Sequence, residues 1–146
     1  MAKDVPPVVR LVVPCEAIDH DTATNRIVLT NPLAVAEIPD GANLPFDVAE
    51  LWVYAQLVEG VGTFRLSVDL RQVYDDGTPP RPVGRSELRH LTFPGASQLT
   101  VFDIPFRMTD VPFDGSGLYE FRVLAGDEEL EGHTAVLRVL DPGVTP

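Results

Sequence analysis

A two-residue rhythm constrains this chain more than any other feature. In ELWVYAQLVEGVGTFRLSVDL, residues 50–70, Leu51, Val53, Ala55 and Leu57 alternate with Trp52, Tyr54 and Gln56. After a short break holding Gly60 and Gly62, Phe64, Leu66, Val68 and Leu70 alternate with Arg65, Ser67 and Asp69. Successive side chains of a β-strand point to opposite faces, so each set lines one face of a strand. The two glycines predict that the runs fold back on each other as an antiparallel hairpin with one buried face. The outer face of the second strand is polar, whereas that of the first carries Trp52 and Tyr54.

The same grammar recurs on both sides. Val9, Leu11, Val13 and Cys15 share a parity, and Ile27 to Ile38 forms a run bent at Pro32. Thr100, Phe102, Ile104, Phe106 and Met108 alternate with Asp103 and Arg107. Pro105 falls on the outer parity of that run, which suits an edge strand or a bulge, because proline has no N–H to give a ladder. Tyr119, Phe121 and Val123 stand opposite Glu120 and Arg122, a last run spans His133 to Leu140, and residues 82–93 read as either a strand or a short helical turn. The 14 prolines among 146 residues fall mostly between the apolar runs, where they favour turns over long helices. With no amphipathic helix long enough to connect parallel strands, the pattern predicts an all-β fold, an antiparallel β-sandwich of about 7–9 strands, immunoglobulin-like or similar. One domain is expected over residues 8–141, with flexible tails at 1–7 and 142–146.

The order PCEAIDHDTATNRIVL, an LPF loop, LWVYAQL with GVGTFRLSVDL, and finally GLYEFRVLAGDEELEGHTAVLRV resembles a family of small bacterial β-sandwich proteins of unknown function. The closing GLYEFRV and HTAVLRV are also similar to the last two strands of immunoglobulin-like sandwiches, in which a tyrosine follows a glycine by two residues. Phe121 stands where an antibody domain would have its cysteine, and the chain has a single cysteine. The resemblance implies architecture and carries no catalytic residue.

A net charge of −11, from 22 acids against 11 bases without a basic cluster, opposes binding to a phosphate backbone or an anionic membrane surface, so neither nucleic acid nor membrane is expected as a partner. The lone Cys15 cannot form an internal disulfide and the first residues lack a secretory signal, which points to the cytoplasm.

Candidate chemistry is sparse. Cys15 near His20 has the residue types of a thiol nucleophile and its base, but its parity with Leu11 and Val13 favours a small buried thiol. His20, His90 and His133 fall in no spacing that would force them together around a metal, and Ser116 in DGSGLY reads as a turn. Carboxylates converging from loops at one end of a sandwich can hold calcium. If each connection reverses the chain, Asp19, Asp21, Glu59, Asp127, Glu128 and Glu129 gather at one end, and Asp40, Asp47, Asp75, Asp76, Asp110 and Asp114 at the other. No D-x-D-x-D-G loop frames any of them. Trp52 and Tyr54 are core if their strand is covered on both faces, which its hydrophobicity favours; on an open face they would make a protein-docking or sugar-stacking platform. The expectation is a non-catalytic module without a cofactor, for protein interaction or a structural accessory role, meeting a protein partner or a second copy at an edge strand or at the Trp52/Tyr54 face. The alternative is a calcium- or carbohydrate-binding sandwich.

Overall fold

A computed structural model describes residues 4–24, 26–94 and 101–141. Their strands are β1 (Val8–Asp21), β2 (Arg26–Pro32), β3 (Val35–Glu37), β4 (Phe46–Val58), β5 (Val61–Val73), β6 (Arg81–Arg85), β7 (Arg89–Pro94), β8 (Val101–Phe113), β9 (Gly117–Ala125), β10 (Glu128–Glu129) and β11 (Ala135–Leu140). β3 and β10 have only three and two residues, so nine longer strands carry the fold. One sheet is ordered β2-β1-β4-β8; the other is ordered β3-β11-β9-β5-β6, with β7 beside β5 and β10 beside β9. Among the described strands β3 and β11 alone pair in parallel, beside an isolated parallel bridge of Val9 with Gly132. The expected antiparallel β-sandwich is the fold observed, and the ambiguous stretch 82–93 is two strands, β6 and β7, separated by residues 86–88. Thr100, residues 1–3 of the expected first tail, and the tail 142–146 lie outside the described residues. Val5 exchanges two backbone hydrogen bonds with Val61, of 2.8 and 2.9 Å.

The core is the predicted one along most strands. Leu51, Val53, Ala55 and Leu57 of β4 cluster with Ile104, Phe106 and Met108 of β8, Leu66, Val68 and Leu70 of β5, and Phe121 and Val123 of β9. Each of the larger side chains here, fully buried, contributes ~1.5–3 kcal/mol. Phe113 meets Tyr119 edge to face at 4.9 Å, and the Tyr119 hydroxyl donates to the carbonyl of Gly115 at 2.9 Å. That bond ties the start of β9 back to the turn before it, at the crossing from β8 in one sheet to β9 in the other.

Three expectations about strand direction are corrected. The 50–70 segment is no hairpin: β4 pairs with β1 and β8, and β5 with β9, β6 and β7, so the chain steps between sheets at Glu59–Gly60. A Cβ at Gly60 would lie 2.8 Å from the Phe93 ring, so the step needs glycine there. Both strands still alternate correctly, because each turns its apolar face to the other across the core. In β1 the register shifts between Val9 and Leu11. Val9 and Val12 therefore point into the core while Leu11 is exposed. Finally, the 27–38 run is two strands in different sheets, β2 and β3, which run in opposite directions.

Backbone hydrogen bonds stitch both open sides of the sandwich. On the β8 side Glu87 N–H donates to Arg107 O at 3.2 Å. On the β1 side Val9 N–H donates to Glu131 O (2.8 Å), His133 N–H to Val9 O (2.9 Å), and Leu33 N–H to Pro14 O (2.8 Å). Between β6 and β7, Ser86 Oγ accepts the buried Val68 N–H at 2.8 Å, so a side chain completes the ladder where the neighbouring strand is interrupted.

Candidate functional site

β1 is long enough to leave the sandwich. From Val8 to Cys15 it pairs with β4, whereas from Cys15 to Asp21 it pairs with β2, which in turn pairs with β1 alone among the described strands. The outer half of β1 and all of β2 thus form a two-stranded ribbon projecting from the sheet. Register places Ile18 opposite Leu29 and His20 opposite Ile27 on one face, with Ala17–Thr30, Asp19–Val28 and Asp21–Arg26 on the other. Ile18, Ile27 and Leu29 are half-buried, Val28 is 50% exposed, and Asp19, Asp21 and Arg26 are exposed. The tip is held by an Asx turn, in which Ala23 N–H donates to Asp21 Oδ1 at 3.0 Å. Turn bonds from Thr24 and Ala23 hold the Asp21 carboxyl below its ordinary range. The ribbon shows one edge of β2 to solvent, and over Ile27–Thr30 that edge is a run of Ile, Val, Leu and Thr without proline or charge. Such an edge is a template for another strand.

Trp52 and Tyr54 lie on the outer face of the same sheet, so the expectation that they are core holds for the burial of Tyr54 but not for Trp52. Neither belongs to the core cluster; Trp52 is half-buried and Tyr54 is 8% exposed, flanked by Val13 and Pro105 on the neighbouring strands. Their polar atoms are already engaged. The Tyr54 hydroxyl donates to Asp103, Gln56 Nε2 donates to Tyr54 Oη at 2.7 Å and to Asp103 Oδ1 at 3.1 Å, and the Trp52 indole donates to Glu50 Oε1 at 3.1 Å. Arg107 Nε closes on the same Glu50 oxygen at 2.9 Å. Burial, reinforced by Asp103, pushes the Tyr54 phenol up to about 12. The hydroxyl of Tyr54 and the indole N–H of Trp52 are thus both engaged within the sheet.

The acidic loops are not brought together as expected. Val8, at the start of β1, is opposite Val58, so Asp19 and Asp21 lie at the far end from the Glu59 turn and from Asp127 and Glu128, which follow Ala125. The reversal between β2 and β3, read from the sequence as a mere bend at Pro32, displaced the first loop by one in the count of ends. Among the described residues no three His, Cys, Asp or Glu side chains converge. His20 sits on the ribbon, His90 on β7 opposite Arg65, and His133 in the segment hydrogen-bonded to Val9. Cys15 is fully buried, but on the side of Trp52, its cross-strand neighbour, rather than in the core cluster; burial pushes its thiol up to about 11, away from nucleophilic reactivity. Ser116 borders a shallow depression of about 450 Å³ shared with Tyr74, Leu118 and Arg138.

One cluster had no signal in the sequence. On the outer face of β5, expected to be simply polar, Asp69 is 8% exposed and accepts a hydrogen bond from Arg122 Nε at 2.8 Å, and beside it Arg71 pairs with Glu120 at 2.7 Å. Burial works against the Arg122 charge, yet Asp69 and Glu129 together hold its guanidinium above the ordinary value. Cross-strand register brings these pairs together (Asp69 opposite Arg122, Arg71 opposite Glu120), and period-two reading cannot supply that register.

No protein-family model matches the chain, and no curated protein matches it. A solved structure described as "Structural basis of T cell specificity and activation by the bacterial superantigen toxic shock syndrome toxin-1" contains a similar chain, 13% identical, covering 73% of this chain and 91% of that one with a TM-score of 0.30. A likeness at that level carries no argument about function. No helix among the described residues is long and apolar enough to cross a membrane.

Proposed function

We propose that the chain is a non-catalytic interaction module that binds a partner protein by accepting an extended strand along β2. The observation that carries this reading is the projecting ribbon, whose outer strand is paired on one side only and is unguarded over Ile27–Thr30. Strand addition draws affinity from main-chain hydrogen bonds, each worth a net ~0.5–1.5 kcal/mol, and specificity from alternate side chains. Charge favours a foreign partner over a second copy, since two chains of −11 repel each other. The buried, unpaired Cys15 suits a reducing cytoplasm, and the resemblance to small bacterial sandwich proteins suits an accessory role.

The test joins capture from native lysate with mapping of the contact. A partner retained by the wild type should shift backbone amide signals of β2 in the labelled protein, and Val28→Pro should release it while the fold persists. Shifts centred on Trp52 and Tyr54, or capture indifferent to Val28→Pro, would sink the reading. A dimer seen by light scattering and lost in Val28→Pro would put a second copy in the partner's place.

A further inference from the structure

We infer that the strand accepted along β2 alternates aliphatic with basic residues; this rests on the edge reading above. Side chains of an incoming strand continue the two faces of the ribbon, since successive residues point to opposite sides. Those beside Ile27 and Leu29 extend the surface of Ile18, Ile27 and Leu29, which is aliphatic and half-buried. Those beside Val28 and Thr30 fall on the face of Asp19 and Asp21. They stand two strand spacings, ~10 Å, from β1. A lysine or arginine stem can lie over the exposed Val28 and bring its charge toward Asp19. The ribbon carries Glu16, Asp19 and Asp21 against Arg26, which register places beside Asp21, and His20, which also acts on the Asp21 carboxylate. The attraction therefore centres on Asp19 and Val28, away from the tip. The net charge of the whole chain adds a field of the same sign. A neutral strand would make the same backbone bonds without this attraction, and an acidic strand would be repelled.

Short capped peptides of about seven residues, the usual length of a strand, separate the two claims. One alternates Val with Lys, one Val with Thr and one Val with Glu, each titrated into the labelled full chain while the amides of β2 are followed. The Val/Lys peptide should bind about tenfold tighter than Val/Thr at low salt, with the gap closing as salt rises, and Val/Glu should bind weakest. The double variant Asp19→Asn, Asp21→Asn keeps the turn geometry and should close most of the gap between Val/Lys and Val/Thr, leaving Val/Thr unchanged. Equal binding of Val/Lys and Val/Thr, or no response to the double variant, overturns the charge preference while the edge reading stands. Binding by none of the peptides at β2 of the folded protein overturns the edge reading, and the preference falls with it.

Discussion

β2 and β8 are the two edge strands of one four-stranded sheet, yet they are built in opposite ways. β8 runs for 13 residues and sends Ile104, Phe106, Met108, Val111 and Phe113 into the core. Its free side is blunted by Pro105 and Pro112, by Asp110 at φ 51, and by the bond from Glu87 to the Arg107 carbonyl. Prolines and bends are the usual means of keeping an edge from pairing with another chain. β2 has seven residues, places none in the core cluster, and is interrupted only at its end by Asn31, at φ 52, and Pro32. The strand the fold depends on is guarded, and the strand it can spare is open. Pairing at β2 can change without disturbing the core.

The sharpest check on that contrast is a pair of truncations. Phe106→Ala, at a position with no exposed surface, should cost ~3–5 kcal/mol in urea denaturation, whereas Leu29→Ala should cost about 1 kcal/mol or less. Similar losses at the two sites would erase the distinction between the edges.

A smaller effect reports on the junction where β2 joins. Cys15 lies between Trp52 of β4 and Pro32 of β2, and burial raises its folded pKa from an ordinary 9.0 to about 11. The folded state thus holds a proton that the unfolded state has lost, so this contribution to stability is complete below about pH 9 and falls away as pH rises toward 11. Cys15→Ser should flatten stability over that window. Alkylation of the wild-type thiol should continue to accelerate through it, and a plateau near the ordinary thiol value would show that the β2 junction opens readily.

The smallest changes in stability, within ~0.5 kcal/mol, should accompany an exchange of edge protection. Val28→Lys sets a charge on the open edge and should reduce association, and Pro105→Val returns an N–H to the guarded edge and should increase it. Titration of the Val/Thr peptide reads the first, light scattering the second, and the contrast fails if neither moves.

Much of the architecture was legible because alternation reports burial directly. Leu51 to Leu57, Leu66 to Leu70 and Tyr119 to Val123 lie on the faces expected, and Pro105 lies on an edge. Alternation is silent about which sheet a strand joins, so an arch between sheets at Gly60 looked like a hairpin. It also fails wherever the backbone slips: the shift between Val9 and Leu11 inverted one face of β1, and non-glycine residues at positive φ, Asn31 and Asp110, carry no mark in a hydrophobic pattern. Trp52 and Tyr54 were found by residue type, but the hydrogen bonds that occupy them depend on Glu50, Gln56 and Asp103, of which Asp103 is brought in from another strand only by folding. The β2 edge, the heart of the candidate site, appeared once a bend at Pro32 proved to be a reversal.

Val9 and Gly132 form a parallel bridge, β3 and β11 pair in parallel, and Val8 and Leu140 lie at opposite ends of the sandwich. Tension applied between those two residues runs along the strands, so the bonds across these parallel contacts share the load and must break together instead of peeling open one after another. The module is built to stay closed when its ends are pulled apart.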